Sequence, residues 1–387
     1  MSRPVVLGVG MIPFGKHVQR SVVDMGAEVA RMALRDAGLG SRDVDMGFFA
    51  NVLAARLFGD STVGQNVLWE VGIHRIPVVN VENACASGST AFVLACNAVL
   101  AGQAEAVMVV GSEKTVVPQL GLINSGESEL DTQFGLVAPA GFALRAKRHM
   151  IDFGTKPEQL AAVSVKNRRH GSLNPFAQFR EPISLEEVLE SPMIVDPLTR
   201  LQCCPNADGA AAVLVVSPAV ARRAGLVSGH PRWIEVRAAL LATGSYENPQ
   251  DLSRWETDYR AAALAYERAA VGPEDLDLIE CHDAFTIAEV AHYEALRICA
   301  PGEGGRLAEA GETALGGRIP VNTSGGLLSR GHPPGATGVA QLVEIVTQLR
   351  GEAGSRQVED ARIGLAHCMG GDKAADSKSC TVAVLSR

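Results

Sequence analysis

Two distant stretches of this chain repeat one pattern, and that pattern limits the folds open to it. An apolar strand-like run ends in a turn of small residues. A helical run follows, and then a second apolar run. In the first stretch, residues 76–81 are the strand run, 87–100 the helix stopped by Gly102, and 105–111 (EAVMVVG) the second strand. In the second stretch, 275–281 (DLDLIEC), 362–367 and 380–385 are strand runs, with helical runs at 286–297 and 337–350. Residues 5–10 and 210–216, the latter after the Asp208–Gly209 turn, read as further buried strands. Units of this kind build an α/β fold with a parallel sheet covered by helices. They read as an internal duplication, with halves at 1–230 and 231–387. Between about 112 and 200 the pattern breaks into Gly- and Pro-rich segments with short helices such as 158–167. That is too long for an ordinary loop, so an excursion covering a binding site is expected.

Composition narrows the function. The chain has 387 residues, 47% of them hydrophobic, enough for a large core. A net charge of -8 argues against nucleic acid as the main partner, because phosphate backbones demand excess Lys and Arg. No run of about eighteen apolar residues predicts a membrane span. The start is too short and Gly-rich for a signal peptide, and the ending Leu385-Ser386-Arg387 is no peroxisomal address, so a cytoplasmic protein is expected. Eight cysteines at irregular spacing, with no Cys-x-x-Cys pair, give no sign of a disulfide framework or a structural zinc. Cys281-His282 and His367-Cys368 lie on strand runs, where neighbours point to opposite faces and do not chelate together. No metal is expected.

Four short motifs carry chemistry. Asn83-Ala84-Cys85-Ala86-Ser87-Gly88 lies where a strand ends and a helix begins. Cys85 at a helix N-terminus has its thiol pKa drawn down toward neutrality, as a nucleophile requires. Gly331-His332-Pro333-Pro334-Gly335 puts a histidine between small residues at another helix start, a suitable place for a base. His282-Asp283-Ala284-Phe285 and His367-Cys368-Met369-Gly370-Gly371 each end a strand. Taken singly, Cys85 reads better as a buried structural thiol and His332 as a loop histidine. Ligands and catalytic groups gather at the carboxyl ends of strands in such sheets, and all four motifs share that side.

In this order and spacing the motifs resemble the thiolase superfamily over essentially the whole chain, most of all the sterol-carrier-protein-like thiolases. That group has His-Asp before Ala-Phe, and a loop like Asn174-Pro175-Phe176-Ala177. The resemblance implies two similar βαβαβαββ halves in a five-layered αβαβα sandwich, usually dimeric. It implies Cys85 as the acylated nucleophile and His332 as its base and an oxyanion donor. His282 would orient a water in a second oxyanion hole, and Cys368 would move protons on the α-carbon or coenzyme A. Many sterol-carrier-type relatives carry the acid/base cysteine inside the His-Asp motif. Here that position is Ala284, and Cys368 is retained at the terminal one.

The implied reaction is thiolysis of a β-ketoacyl-CoA by coenzyme A, or its reverse. Alternatives on the same fold are another acyltransferase, a carbon–carbon lyase and a non-catalytic scaffold subunit; the scaffold would lack Cys85 or His332. The anionic coenzyme needs a local basic patch in an acidic protein. Arg168 and Arg169 in the Lys166–His170 cluster and Arg180 are candidates, with Ser324 near the pantetheine arm by resemblance. A solvated helix end explains that cluster equally well, and a turn cap explains Ser324. Family likeness also implies a small zinc-ribbon/OB-fold partner in trans, since no sterol-carrier domain follows residue 387.

Overall fold

The computed structural model describes residues 3–118, 120, 126, 129–245, 251–373 and 375–387. Part of the excursion expected at 112–200, including Gly121, lies outside the described residues. The strands are β1 (Val5–Met11), β2 (Met46–Ala50), β3 (Val78–Val81), β4 (Ala106–Glu113), β5 (Met193–Val195), β6 (Leu198–Thr199), β7 (Gly209–Val216), β8 (Ile234–Ala242), β9 (Leu278–Glu280), β10 (Ile363–Lys373) and β11 (Asp376–Ser386). Nine of them join in the order β3-β2-β4-β7-β1-β8-β11-β10-β9, and β5-β6 is a separate hairpin.

The sheet consists of two blocks laid out alike. In the first, β3, β2 and β4 are parallel, and β7 and β1 follow antiparallel. In the second, β9 and β10 are parallel, and β11 and β8 follow antiparallel. Val321, bridged in parallel to Ile279, stands where β3 stands in the first block. The blocks are joined where Val5 and Val6 of β1 meet Glu235 and Ile234 of β8. The expectation of a parallel sheet therefore holds only for the strands toward the two ends of the order, and the middle of the sheet is antiparallel. β11 follows β10 after two residues and pairs with it antiparallel, Lys373 opposite Asp376.

Layering follows from where the apolar surface lies. The Val22–Ala37 helix carries an apolar face, with Ser21 and Asp24 forming a capping box, and it covers the first block beside Val63–Glu70. The Glu256–Ala269 helix covers the outside of the second block, alongside Thr286–Ala295. The Ser87–Leu100 helix has no charged residue, and the Pro334–Arg350 helix is buried nearly all round. Helices of that kind belong inside. They touch each other and strands of both blocks, completing five layers, αβαβα. Among the described residues no helix is long and apolar enough to cross a membrane.

The excursion does not stay with the first half. Its helices Ala138–Phe153 and Pro157–Ser172 lie on Thr286–Ala295 of the second. The basic cluster expected to form an anion-binding lid is largely what fastens them there. Lys166 is buried against Glu289 at 2.5 Å and donates to the carbonyl of Val321 at 2.7 Å. The Asn167 amide donates to Asp283 and Glu289, both at 2.7 Å. His170 accepts the Leu315 N–H at Nε2, so its Nδ1–H donates to the Asn322 carbonyl at 2.9 Å. Burial and then Lys166 push its pKa down to about 3, so it is a neutral strut.

The two central helices meet backbone to backbone. A Cβ on Gly88 would fall 2.7 Å from the carbonyl oxygen of Gly335, and one on Gly111 would fall 2.4 Å from the same atom. Only glycine permits this approach. Gly88→Ala is expected to lower stability by about 1–3 kcal/mol through overpacking. The check is a lower urea midpoint at unchanged slope.

Candidate active site

Cys85 sits on an elbow between β3 and the Ser87–Leu100 helix. Ala84 holds a left-handed backbone, φ 48°, and Ser87 Oγ accepts the Asn83 N–H at 2.7 Å while donating to the Ala84 carbonyl at 2.6 Å. β10 passes close by: a Cβ on Gly370 would lie 2.4 Å from the Asn83 carbonyl oxygen. The thiol is half-buried and lines a cavity of about 640 Å³.

His332 lies just before the other central helix, after Gly331 at φ 108°. Its Nε2 is 3.3 Å from Cys85 Sγ, and its Nδ1 is 2.8 Å from Thr337 Oγ1. The Thr337 hydroxyl donates its one hydrogen to the Pro333 carbonyl at 2.9 Å, so toward His332 it accepts. The imidazole proton therefore resides on Nδ1, and Nε2 presents a lone pair to the thiol.

Cys368 and His282 complete the group. Cys368 Sγ lies 3.4 Å from His282 Nδ1 and 3.2 Å from the carbonyl oxygen of Cys85. The His282 and His332 rings meet edge-on, 85° apart with centroids at 5.2 Å. Asp283, the partner of His282 in sequence, turns away. Its carboxylate accepts the N–H groups of Leu327 (2.7 Å) and Leu328 (3.3 Å) at the start of a short helix.

The electrostatics overturn one expectation. The Cys85 thiol is not lowered by its helix. Burial, and then the negative charge of Glu113, push it up to about 12, against the pull of the Cys85 and Gly371 backbone amides. Burial, and then Arg330, push His332 down to about 3. Burial also raises Cys368 and lowers His282. The resting site is thus a set of neutral thiols and neutral imidazoles. Glu113 is fully buried and accepts N–H groups from Val52 (2.8 Å), Leu53 (3.3 Å) and Gly335 (3.1 Å), while burial pushes its carboxyl up to about 7.

The cavity wall is mostly apolar, with Leu136, Val137, Phe142, Leu144, Phe285 and Met369 contributing. Of the four residues expected to hold coenzyme A, only Arg168 lines it, its guanidinium 4.2 Å from the Phe179 ring. Arg169 and Arg180 are exposed outside the lining. Ser324 is buried, its hydroxyl donating to Glu280 at 2.6 Å, so it does not reach the cavity. Arg200 and Lys373 supply cations that no motif signalled. Thr337, Glu113 and the Gly371 amide were also missed; only the i, i+5 spacing of His332 and Thr337 was open to inspection.

Among the described residues, two sets of side chains come within 4.8 Å of one another in ligand-like fashion, although irregular sequence spacing gave no hint of either: Cys85, His282 and His332, and Asp258, His367 and Cys380. Hydrogen bonds pair Cys85 with His332, and His367 with Asp258.

Comparison with known proteins agrees with this geometry. Residues 4–219 match the description "Thiolase, N-terminal domain" and residues 239–387 match "Thiolase C-terminal domain-like". The chain belongs to the thiolase family. An acetyl-CoA acetyltransferase of Methanothermobacter thermautotrophicus is 40% identical over 369 residues, covering 95% of this chain and 96% of that one. Human sterol carrier protein 2 is 39% identical over 391 residues, covering 96% of this chain and 70% of that one. The benzoylsuccinyl-CoA thiolase subunit BbsB of Thauera aromatica is 36% identical, covering 95% of this chain and 94% of that one. The solved Ltp2-ChsH2(DUF35) aldolase superposes with a TM-score of 0.84 at 26% identity, covering 99% of this chain and 97% of that one. This thiolase is an acyltransferase enzyme of the sterol-carrier-protein-like kind.

Above about pH 7 Glu113 is ionised and opposes a thiolate at Cys85. Glu113→Gln removes that charge. Iodoacetamide alkylation of Cys85 at about pH 8 is expected to rise, by up to about tenfold for a full step in pKa. Unchanged or slower alkylation, followed by peptide mass spectrometry, would contradict the charge argument.

Proposed function

We propose that this thiolase cleaves a β-ketoacyl-CoA with coenzyme A through an acyl thioester on Cys85, and runs the same steps backwards as a Claisen condensation. One observation carries the reading: Cys85 Sγ lies 3.3 Å from a His332 Nε2 whose proton is held on the far nitrogen. Cys85 attacks the keto carbon as its proton passes to His332 Nε2. The carbon–carbon bond breaks, and the electron pair leaves as the enolate of the shorter acyl-CoA. Cys368 delivers its proton to the enolate carbon. The coenzyme A thiol then gives its proton to the Cys368 thiolate and attacks the Cys85 thioester, and Cys85 leaves and recovers its proton from His332.

Neutral resting groups suit this scheme, because charge develops only as the proton moves. The oxyanion on the Cys85 side is served by the Cys85 and Gly371 amides, the same two that favour thiolate there. The enolate oxyanion is served by His332, now protonated, and by a water on His282. Each such donor is worth about 3–4 kcal/mol. Coenzyme A, a substrate here, is bound through Arg168 at the cavity, joined by Arg200 and Lys373.

A homodimer is supported by the outermost strand β3, which among the described strands pairs with β2 alone and leaves Val79 and Asn80 exposed. A small zinc-ribbon/OB-fold partner is supported by the likeness to the Ltp2-ChsH2(DUF35) aldolase. That likeness also favours a second reading, carbon–carbon lyase chemistry without transfer to coenzyme A. A cytoplasmic location is supported by eight unpaired thiols.

The test is intact-protein and peptide mass spectrometry after incubation with acyl-CoAs and β-ketoacyl-CoAs. An adduct on Cys85, discharged by coenzyme A and absent in Cys85→Ala, is expected. Cys368→Ala should keep the adduct but lose α-proton exchange by about 10²–10⁴-fold. No adduct, with or without a partner protein, would favour the lyase.

A further inference from the structure

Strand β10 carries two neighbouring residues to opposite sides of the second block. Cys368 faces the cavity side, against His282 and Cys85. His367 faces the outer layer, where its Nε2 lies 2.7 Å from Asp258 Oδ1. Both partners are fully buried. Asp258 lies in the first turn of the Glu256–Ala269 helix, and its second oxygen accepts the Ser377 hydroxyl at 2.6 Å. The preceding residue, Thr257, is fastened to Asp376 through its N–H at 3.1 Å and its hydroxyl at 2.6 Å. The helix start and the β10–β11 hairpin are thus tied at two points.

From the other side, Gln341 of the central Pro334–Arg350 helix donates to the His367 carbonyl at 2.9 Å. Thr381 of β11 donates to the Cys368 carbonyl at 3.1 Å. The His292 ring packs at a tilt of 55° against His367, with ring centroids 4.3 Å apart, and stacks on Trp255 at 4.8 Å. The residue before Cys368 is therefore gripped by its side chain from the outer layer and by its carbonyl from the inner one. A buried carboxylate is an expensive way to hold a strand unless the position it sets matters.

We propose that Asp258 and His367 form a positioning pair that holds Cys368 where its proton transfers require it. The proposal rests on the thiolase reading above, in which Cys368 moves the α-proton. Neither residue touches substrate; they act through the backbone of β10. A displacement of about 1 Å in such a group costs about 10²-fold in rate.

The experiment separates the two cysteines. Acetyl-, butyryl- and octanoyl-CoA serve as probes. Acylation of Cys85 is followed by mass spectrometry, and α-proton exchange into deuterated water by NMR. In His367→Leu, exchange is expected to fall about 10²-fold, while acylation of Cys85 stays within a few-fold of the parent. His367→Gln, whose amide nitrogen stands near the position of Nε2 and keeps a donor for Asp258, should restore most of the exchange. If His367→Leu fails to fold with Asp258 left unpaired, Asp258→Leu/His367→Leu, which buries no unpaired charge, carries the same comparison. Equal loss of both activities, or loss of neither, would overturn the proposal. So would a stoichiometric metal in the purified protein that disappears in Asp258→Asn, since Cys380 would complete a ligand set. No acylation of Cys85 in the parent would overturn the thiolase reading, and this proposal with it.

Discussion

The contact between the starts of the two central helices is what the site depends on. Gly88 and Gly335 let the helices approach until one backbone rests on the other, and Gly338 does the same one turn on, where a Cβ would lie 2.6 Å from the Ser89 nitrogen. Cys85 precedes one helix and His332 the other. Their meeting at 3.3 Å is therefore set by helix packing and not by a flexible loop. Helix starts brought this close would concentrate partial positive charge. The buried carboxylate of Glu113 accepts the Gly335 N–H at the second of them, and this gives a physical reason for a buried acidic residue at that place.

Burial, with the same carboxylate adding to it, explains why Cys85 is a resting thiol. A helix dipole favours thiolate by a modest amount, whereas desolvation disfavours any charge and Glu113 adds to that penalty. Burial wins here. On the reading proposed above, a site built this way gains its reactivity from a proton acceptor already in place, and it avoids leaving a free thiolate open to side reactions.

Polar groups elsewhere in the interior fasten layers together. Lys166 and Asn167 meet Glu289 and Asp283, and join the excursion to the second half. Arg356 meets Glu344 at 3.0 Å behind the central helix. Asp283 illustrates the division of labour: it follows His282 in the chain, yet it holds a helix start while His282 faces Cys368. The basic residues near 166–170 scatter for the same reason. On a helix turning about 100° per residue, Lys166, Asn167 and His170 fall on the buried face, Arg168 reaches the cavity and Arg169 reaches solvent.

The sequence by itself determined the alternation of strands and helices, the small-residue turns, and the four motifs at strand ends. These are local: a turn that needs glycine, a helix with no charge on any face and a strand of β-branched residues announce themselves wherever they are packed. From them Cys85, His282, His332 and Cys368, which the fold brings into one cluster, were legible as candidates. Tertiary structure decided the rest. Thr337 on His332, Glu113 beneath the helix starts and the Gly371 amide beside Cys85 are contacts between segments far apart in the chain or small enough to carry no pattern. Ser324 and Arg169 stand away from the cavity because burial and helix rotation are not written in composition. The direction of the Cys85 pKa was decided in the same way. Solvent exclusion is a property of everything packed around an atom, and no run of residues encodes it.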